Sequence, residues 1–366
     1  MKILYYFREL NTPMYYWQRI HFFDELKHNN IKIVSFNPLN YSSYNEANEM
    51  VIKEIKSTHY DLFLTCVDQS FLYPETITEI SKIGIPTCLI CWDNLELPYK
   101  HKEIAPLFDL VWLTSFETKY LFEKWNCKKV IFQPYAANPY AFRPHWDKPI
   151  PNIGFIGSPY GSRTNKINLL TKNGIPTIIY SDSLFNKNYN SSVGIKQFDI
   201  FDIGIKFSRY LRFPIGRKVL YTTLKNRFFM KERELVDNEK LIKHPSVDDE
   251  EMHCLYSNLS LSLNISELRD TYVSKQPIHK IHLRAFEIPM CGGLEIASYS
   301  EELARYFEQD KEIIMYQSDE EFIDKCKFFL SDKNQSLIMP MKIAARKRAE
   351  RDHTWSKRFE KVFRAL

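Results

Sequence analysis

No apolar run in this 366-residue chain approaches the roughly 20 residues that a membrane-spanning helix needs. A helical membrane span is therefore not expected. The apolar opening, Ile3 to Phe7, is short and is ended by Arg8-Glu9, so it reads as a strand rather than a signal peptide. Cysteine is sparse and unpatterned. There are 7, an odd number without framework spacing, which argues against a disulfide scaffold. Cys88 and Cys91 stand two residues apart, but inside an apolar run and with no second Cys or His pair to complete a zinc site. A redox pair would open a helix instead. Reduced thiols in a cytoplasmic protein are expected. The formal charge, +5, is too small to point to nucleic acid without a concentrated basic stripe and a supporting motif. No Asp-x-Asp pair stands in a strand-end loop of the kind a divalent-ion transferase uses, so no metal is expected. Asp248-Asp249-Glu250-Glu251 reads as an acidic helix start favoured by the helix dipole. Glycine is scarce as well, 10 in the whole chain, a compositional bias that carries no functional weight.

What is present is apolar and periodic. Hydrophobic residues make up 44%, enough for two buried cores, and the length favours two domains. Lys2 to Phe7, Ile31 to Phe36, Leu62 to Cys66, Thr87 to Trp92, Leu110 to Thr114 and Val130 to Gln133 read as strands. Amphipathic stretches such as Tyr15 to His28 and Tyr44 to Ser57 lie between them. This alternation predicts a parallel sheet with helices on both faces. A proline-rich stretch from Gln133 to Pro151 reads as the linker. The pattern then restarts at Asn152 to Gly157, with a helix expected from about Thr164. The fold class is thus α/β, two doubly wound domains in series with a cleft between them. The expected division is residues 1–147, residues 148–345 with a basic insertion at about 204–232, and a final helix at 346–366 that crosses back to the first domain.

The segment Arg284-Ala285-Phe286-Glu287-Ile288-Pro289-Met290-Cys291-Gly292-Gly293 sets an arginine and a carboxylate on one helical face. A Glu near a helix start can accept hydrogen bonds from a ribose diol, and an Arg can meet a phosphate bidentately. The glycines can let backbone approach a ligand. The same residues also suit a surface ion pair ahead of a glycine C-cap. Together with Ser298-Tyr299-Ser300-Glu301-Glu302, Lys311-Glu312-Ile313-Ile314 and His353-Thr354-Trp355-Ser356, the segment resembles the C-terminal half of GT-B nucleotide-sugar glycosyltransferases, in particular the group named for the spore-maturation protein CgeB. The likeness weakens towards the N-terminus. It implies two facing Rossmann-like domains, a nucleotide sugar (UDP-linked) as donor substrate, and no cofactor. It also implies that Glu287 holds the donor ribose and that Arg284 lies near the phosphates or sugar.

In open α/β sheets ligands bind beyond the carboxyl ends of strands. The loop after Ile156, Gly157-Ser158-Pro159-Tyr160-Gly161-Ser162-Arg163-Thr164-Asn165-Lys166, puts glycines and two cations ahead of a helix, a plausible diphosphate cradle. It is neither a Walker loop nor a Rossmann fingerprint. The resemblance implies that Arg163 neutralises the leaving diphosphate, with Lys166 beside it. Many retaining GT-B enzymes carry another Glu eight residues before the ribose-binding one. Here that position is His279, a departure that leaves both the sugar and the stereochemical outcome open, and His282 is a further cleft candidate. On the acceptor side Asp93, after the Thr87–Trp92 strand, is a candidate general base or an ordinary turn cap. Arg8 and Glu9 are further candidates there.

Lys206 to Lys231 carries eight Lys or Arg and no acid, interleaved with aromatics. It reads either as an insertion packed on its domain or as a peripheral contact with an anionic membrane at the inner face. A nucleic-acid partner is not expected. The sequence therefore predicts transfer of a sugar to a glycan, lipid-linked or protein acceptor. The alternatives are a sugar-nucleotide epimerase or phosphorylase, or a catalytically degenerate GT-B scaffold that binds a membrane or a partner.

Overall fold

The computed structural model describes the backbone at residues 1–10, 13–185, 200–229 and 234–366, and the side chains of these except 13–15, 200–203, 205, 206 and 229. The chain divides into two compact units. One is Met1–Ala141 together with His353–Leu366; the other is Phe142–Asp352.

The first unit is built on strands β1 (Lys2–Tyr6), β2 (Lys32–Phe36), β3 (Leu62–Thr65), β4 (Thr87–Cys91), β5 (Leu110–Leu113) and β6 (Val130–Phe132). They form one parallel sheet in the order β2-β1-β3-β4-β5-β6. Every residue of β3, β4 and β5 is buried. This is why their sequences are unbroken apolar runs rather than alternating ones. The Tyr15–His28 pattern becomes three helical pieces in succession, Pro13–Gln18, a wider π turn at Arg19–Phe23, and Asp24–Lys27.

The second unit has β7 (Ile150–Ile156), β8 (Thr177–Tyr180), β9 (Leu241–His244), β10 (Leu259–Asn264), β11 (Glu295–Ser298) and β12 (Ile314–Tyr316). The sheet is again parallel, in the order β12-β11-β10-β7-β8-β9. Its two wings run outwards from β7 and β10, so the crevice beyond their carboxyl ends is the topological switch point. Ile153, Phe155, Leu261, Leu263 and Ile296 form the core with Ile167 from the helix Ser162–Lys172. Pro151, assigned above to a linker, lies inside β7. The β7–β10 register shifts between Leu259 and Leu261, and such an irregularity tolerates the missing N–H of a proline. β9 went unread because it is short, half-exposed at alternate residues and carries Lys243 and His244.

The expected final helix is two helices separated at His353-Thr354. Gln335–Asp352 belongs to the second unit and Trp355–Ala365 to the first. Within the first unit, Thr354 caps the last helix by accepting from the Lys357 amide at 3.3 Å. The Glu25 carboxylate receives the amides of Trp355 (3.0 Å) and Ser356 (2.6 Å) and the Ser356 hydroxyl (2.6 Å). The Trp355 indole donates to His21 Nδ1 at 3.0 Å. Burial raises the Glu25 carboxyl above its usual range, against the pull of these donors. Glu25→Ala strands two amides and a hydroxyl in a buried place and removes a negative charge from a helix N-terminus. It should lower the stability of the first unit by about 2–3 kcal/mol, read as an earlier calorimetric transition with the second unit's transition unmoved.

Candidate functional site

At the end of β7 the chain turns through Gly157, whose φ of +137° few side chains tolerate. The loop closes at Gly161, with φ +56°, and no side chain caps the helix Ser162–Lys172 that follows. Its first amides therefore face the loop as a partial positive charge.

Two guanidinium groups converge on this turn. Arg284 Nη2 donates to the Ile156 carbonyl at 2.7 Å and Nε to the Tyr256 hydroxyl at 3.3 Å. A Cβ on residue 157 would stand 2.9 Å from Arg284 Nη2, so the glycine makes room for the guanidinium as well as the bend. Arg163 donates to the Ser158 carbonyl at 3.1 Å and lies 4.3 Å from the centre of the Tyr160 ring. Both arginines also sit on the Phe155 ring, at 5.7 Å for Arg163 and 5.3 Å for Arg284. Burial, and then the positive charge of Arg284, pull the Arg163 pKa down. Arg284 is half-buried, and Tyr256 and the more distant Glu287 and Glu295 outweigh its desolvation and tip its pKa upward. Among the described residues no carboxylate reaches salt-bridge distance of either group, and their hydrogen-bond partners are neutral oxygens.

Glu267, three residues past β10, gathers the neighbouring strand ends. It accepts from the Ser298 hydroxyl at 2.8 Å, at the end of β11, and from the Ser162 hydroxyl at 3.4 Å. Its backbone forms an isolated antiparallel bridge with His279. His279 Nδ1 lies 2.9 Å from Ser266 Oγ. Burial first, and the Lys166 charge after it, lower the His279 pKa against the opposing pull of Glu267, so the ring is neutral at neutral pH. Applying the strand-end rule to Leu259–Asn264 would have found Glu267, which the sequence analysis did not name. Lys166 pairs with Asp319 at 2.6 Å and lies 4.8 Å from the centre of the Tyr316 ring. It is thus engaged one turn beyond Arg163.

Glu287 is half-buried in the first turn of the helix Arg284–Met290, and its charge reaches both Arg284 and Tyr256. Gly292 departs from the expected ligand approach. Its φ is +71°, and a Cβ there would come within 2.6–2.8 Å of the Trp146 indole, which donates to the Gly292 carbonyl at 2.8 Å. The space beside this glycine is filled by a tryptophan from the start of the same unit. His282 is exposed.

In the first unit, Asp93 is exposed, and its carbonyl accepts from the amides of Glu96 (3.2 Å) and Leu97 (2.8 Å), closing a turn after β4. Glu9 is paired with Arg19 and bonded by Ser35. Arg8 lies 4.0 Å from the centre of the Phe71 ring. Among the described residues no group of three or more His, Cys, Asp or Glu is arranged to hold a metal ion, and no helix is long and apolar enough to cross a membrane.

Residues 223–364 match the family model described as Glycosyl transferase-like. No curated protein matches the chain. Among solved structures, it is similar to sucrose-phosphate synthase from Thermosynechococcus elongatus (12% identity, TM-score 0.54, 100% of both chains covered). It is also similar to Anabaena Alr3699/HepE in complex with UDP and glucose (12%, 0.57, 100% of both chains). A third is an alpha-glucosyltransferase in complex with UDP-glucose and DNA containing an abasic site (15%, 0.63, 99% of this chain and 98% of that one). The fold is GT-B, with one Rossmann-like parallel sheet in each unit.

Glu295, at the start of β11, is fully buried beneath this site. It accepts from Asn264 Nδ2 at 2.6 Å, while its second carboxyl oxygen has no partner. Burial pushes its pKa up to about 8, so the folded protein holds the proton at neutral pH. The stabilisation from that proton is complete below the ordinary carboxyl range and is lost as pH rises to about 8. Its loss amounts to roughly 3–5 kcal/mol at about 1.4 kcal/mol per pH unit. Glu295→Gln should leave stability near pH 4.5 little changed and make the protein more stable than its parent near pH 8, as read from urea unfolding at the two values.

Proposed function

We propose that this protein is a glycosyltransferase that moves a sugar from a nucleotide-sugar donor, UDP-linked, to a glycan, lipid-linked or protein acceptor without a metal. One observation carries the reading. Arg163 and Arg284 meet at a glycine turn on the switch point of a Rossmann-type sheet, with neutral partners only. Two neighbouring cations with no carboxylate at salt-bridge distance among the described residues, beside an uncapped helix N-terminus, suit a diphosphate. The UDP and UDP-glucose named with the similar structures and the family match over residues 223–364 support the same class of donor.

In this reading the donor diphosphate lies in the Gly157–Arg163 turn and the Glu287 carboxylate accepts the ribose hydroxyls. The bond between the sugar's anomeric carbon and the diphosphate oxygen breaks, and its electron pair leaves with the diphosphate. Arg163 and Arg284 stabilise the charge that grows there. An acceptor hydroxyl forms the new bond and gives up its proton, with Asp93 as the candidate base. His279, neutral and hydrogen-bonded to Ser266, is the candidate partner for the transferred sugar in the place where many retaining GT-B enzymes carry Glu. Lys166, paired with Asp319, is the second basic candidate for the diphosphate.

Thermal-shift measurements should show stabilisation by UDP above GDP, dTDP and CMP. No response to any of them would remove the assignment. By calorimetry, Glu287→Ala should weaken UDP binding roughly 10- to 100-fold, equal to about 1.4–2.8 kcal/mol. Arg163→Ala should lower turnover more than donor affinity, because its contribution grows with the leaving charge. Equal losses would make Arg163 a binding group only.

A further inference from the structure

The helices Ile200–Leu211 and Pro214–Phe229 lie in the chain between β8 and β9. The second helix has two faces with different chemistry. Val219 and Thr222 are buried, and Asn226 donates to Asp270 at 3.0 Å on the same side. Lys225 donates to the Val273 carbonyl at 3.1 Å and Lys218 to that of Gln276. This face is fastened to residues 270–276, the loop between Glu267 and His279.

The opposite face is apolar and open. Tyr221, Leu224 and Phe228, at i, i+3 and i+7, are 64%, 49% and 72% exposed. Phe207 and Leu211, one turn apart on the preceding helix, are about half exposed as well. Arg217 extends the Tyr221 stripe by one turn, Arg227 flanks it, and both are exposed. No acidic residue occurs anywhere from Lys206 to Lys231, although those two end residues are outside the described side chains. A stripe of Tyr, Leu and Phe bordered only by cations matches the layering of an anionic bilayer, with apolar groups below the headgroups and arginines at their level. A phosphate backbone would reward the arginines and leave Leu224 in water.

We propose that this face is a docking surface for anionic phospholipid bilayers. Docking there brings lipid to the element that holds the Glu267–His279 loop. The corollary that the acceptor is lipid-linked rests on the transferase reading, whereas the docking does not.

The test is flotation of the full-length protein with vesicles of phosphatidylcholine alone, or with roughly 30% phosphatidylglycerol to supply surface charge, in the absence of nucleotide. The parent should bind the anionic vesicles at least roughly 10-fold better than the neutral ones and release them at high salt. The pair Leu224→Ser and Phe228→Ser, which leaves the charge unchanged, should lose roughly 10-fold of that binding while keeping the parent's cooperative melt. The pair Arg217→Gln and Arg227→Gln should lose the preference for anionic lipid. Tyr221→Trp should gain a blue-shifted emission on anionic vesicles, a readout that does not depend on weakening the fold. Equal binding by the parent and the Leu224/Phe228 pair would overturn the proposal. So would displacement of the vesicles by single-stranded DNA with no effect of that pair, or self-association of the parent that the pair abolishes while vesicles are ignored. Vesicle binding is read without donor and nucleotide binding without vesicles, so failure of one leaves the other intact.

Discussion

The second unit is organised around two neighbouring guanidinium groups that, among the described residues, no carboxylate meets at salt-bridge distance. Arg284 is held by a strand-end carbonyl and a tyrosine hydroxyl, and Arg163 approaches from the following helix with a carbonyl as its hydrogen-bond partner. Bringing cations together and partly withdrawing them from water without a directly paired anion is unfavourable. Part of that cost is offset by the Phe155 and Tyr160 rings beneath the guanidinium planes. Burial and the Arg284 charge lower the Arg163 pKa against the opposing pull of Tyr160 and Glu267. A dianionic group entering the turn would relieve that repulsion. Under the proposed function, a cation pair held in place before its ligand arrives is preorganised for a phosphate.

That arrangement needs a rigid support. The helix Arg284–Met290 is only seven residues long, too short to be stable by itself. Its C-terminal end is held from the helix Gln335–Asp352, where Arg346 donates to the carbonyls of Met290 and Phe142. Lys342 on the same helix donates to the carbonyls of Ser257 and Leu259, both at 2.7 Å, and burial lowers its pKa to about 8. Arg163 and Arg284 likewise donate to the chain's own carbonyls; what sets them apart is that both guanidinium groups converge on the Gly157 turn.

The fold was legible because its signals are local. Buried parallel strands are continuous apolar runs, and Leu62–Thr65 and Thr87–Cys91 were visible as such without coordinates. The Gly157–Arg163 turn was visible for the same reason: its glycines and cation are consecutive. Glu267 stands where the strand-end rule points, just past Leu259–Asn264, but its bonding to Ser162 and Ser298, two serines far away in sequence and unremarkable in composition, was not legible. Gly292 was legible as a glycine needing its conformational freedom, but Trp146 on top of it was not. Pro151 misled because a proline inside a central strand is improbable until the register shift that accommodates it is known.

The segments that carried the family resemblance divide by physical role. His353-Thr354-Trp355-Ser356 belongs to the first unit, where Thr354 caps a helix, Trp355 and Ser356 are gripped by Glu25, and His353 meets Arg358 at 3.0 Å. Glu312 in the Lys311–Ile314 segment binds the Glu308 amide and lies 3.3 Å from Arg348, again a structural arrangement. Arg284 reaches the Ile156 carbonyl at the end of β7, Glu287 lies in the first turn of the same helix, and Ser298 at the end of β11 donates to Glu267. A sequence pattern can therefore be informative about a fold for reasons unrelated to chemistry: buried caps tolerate substitution as poorly as ligand contacts do, because removing either leaves a polar group unpaired away from water. The distinction becomes visible only when each residue's partners are counted. A cap residue has its partners within the chain, whereas the guanidinium pair at Gly157 has hydrogen-bonding capacity left over and, among the described residues, no carboxylate at salt-bridge distance.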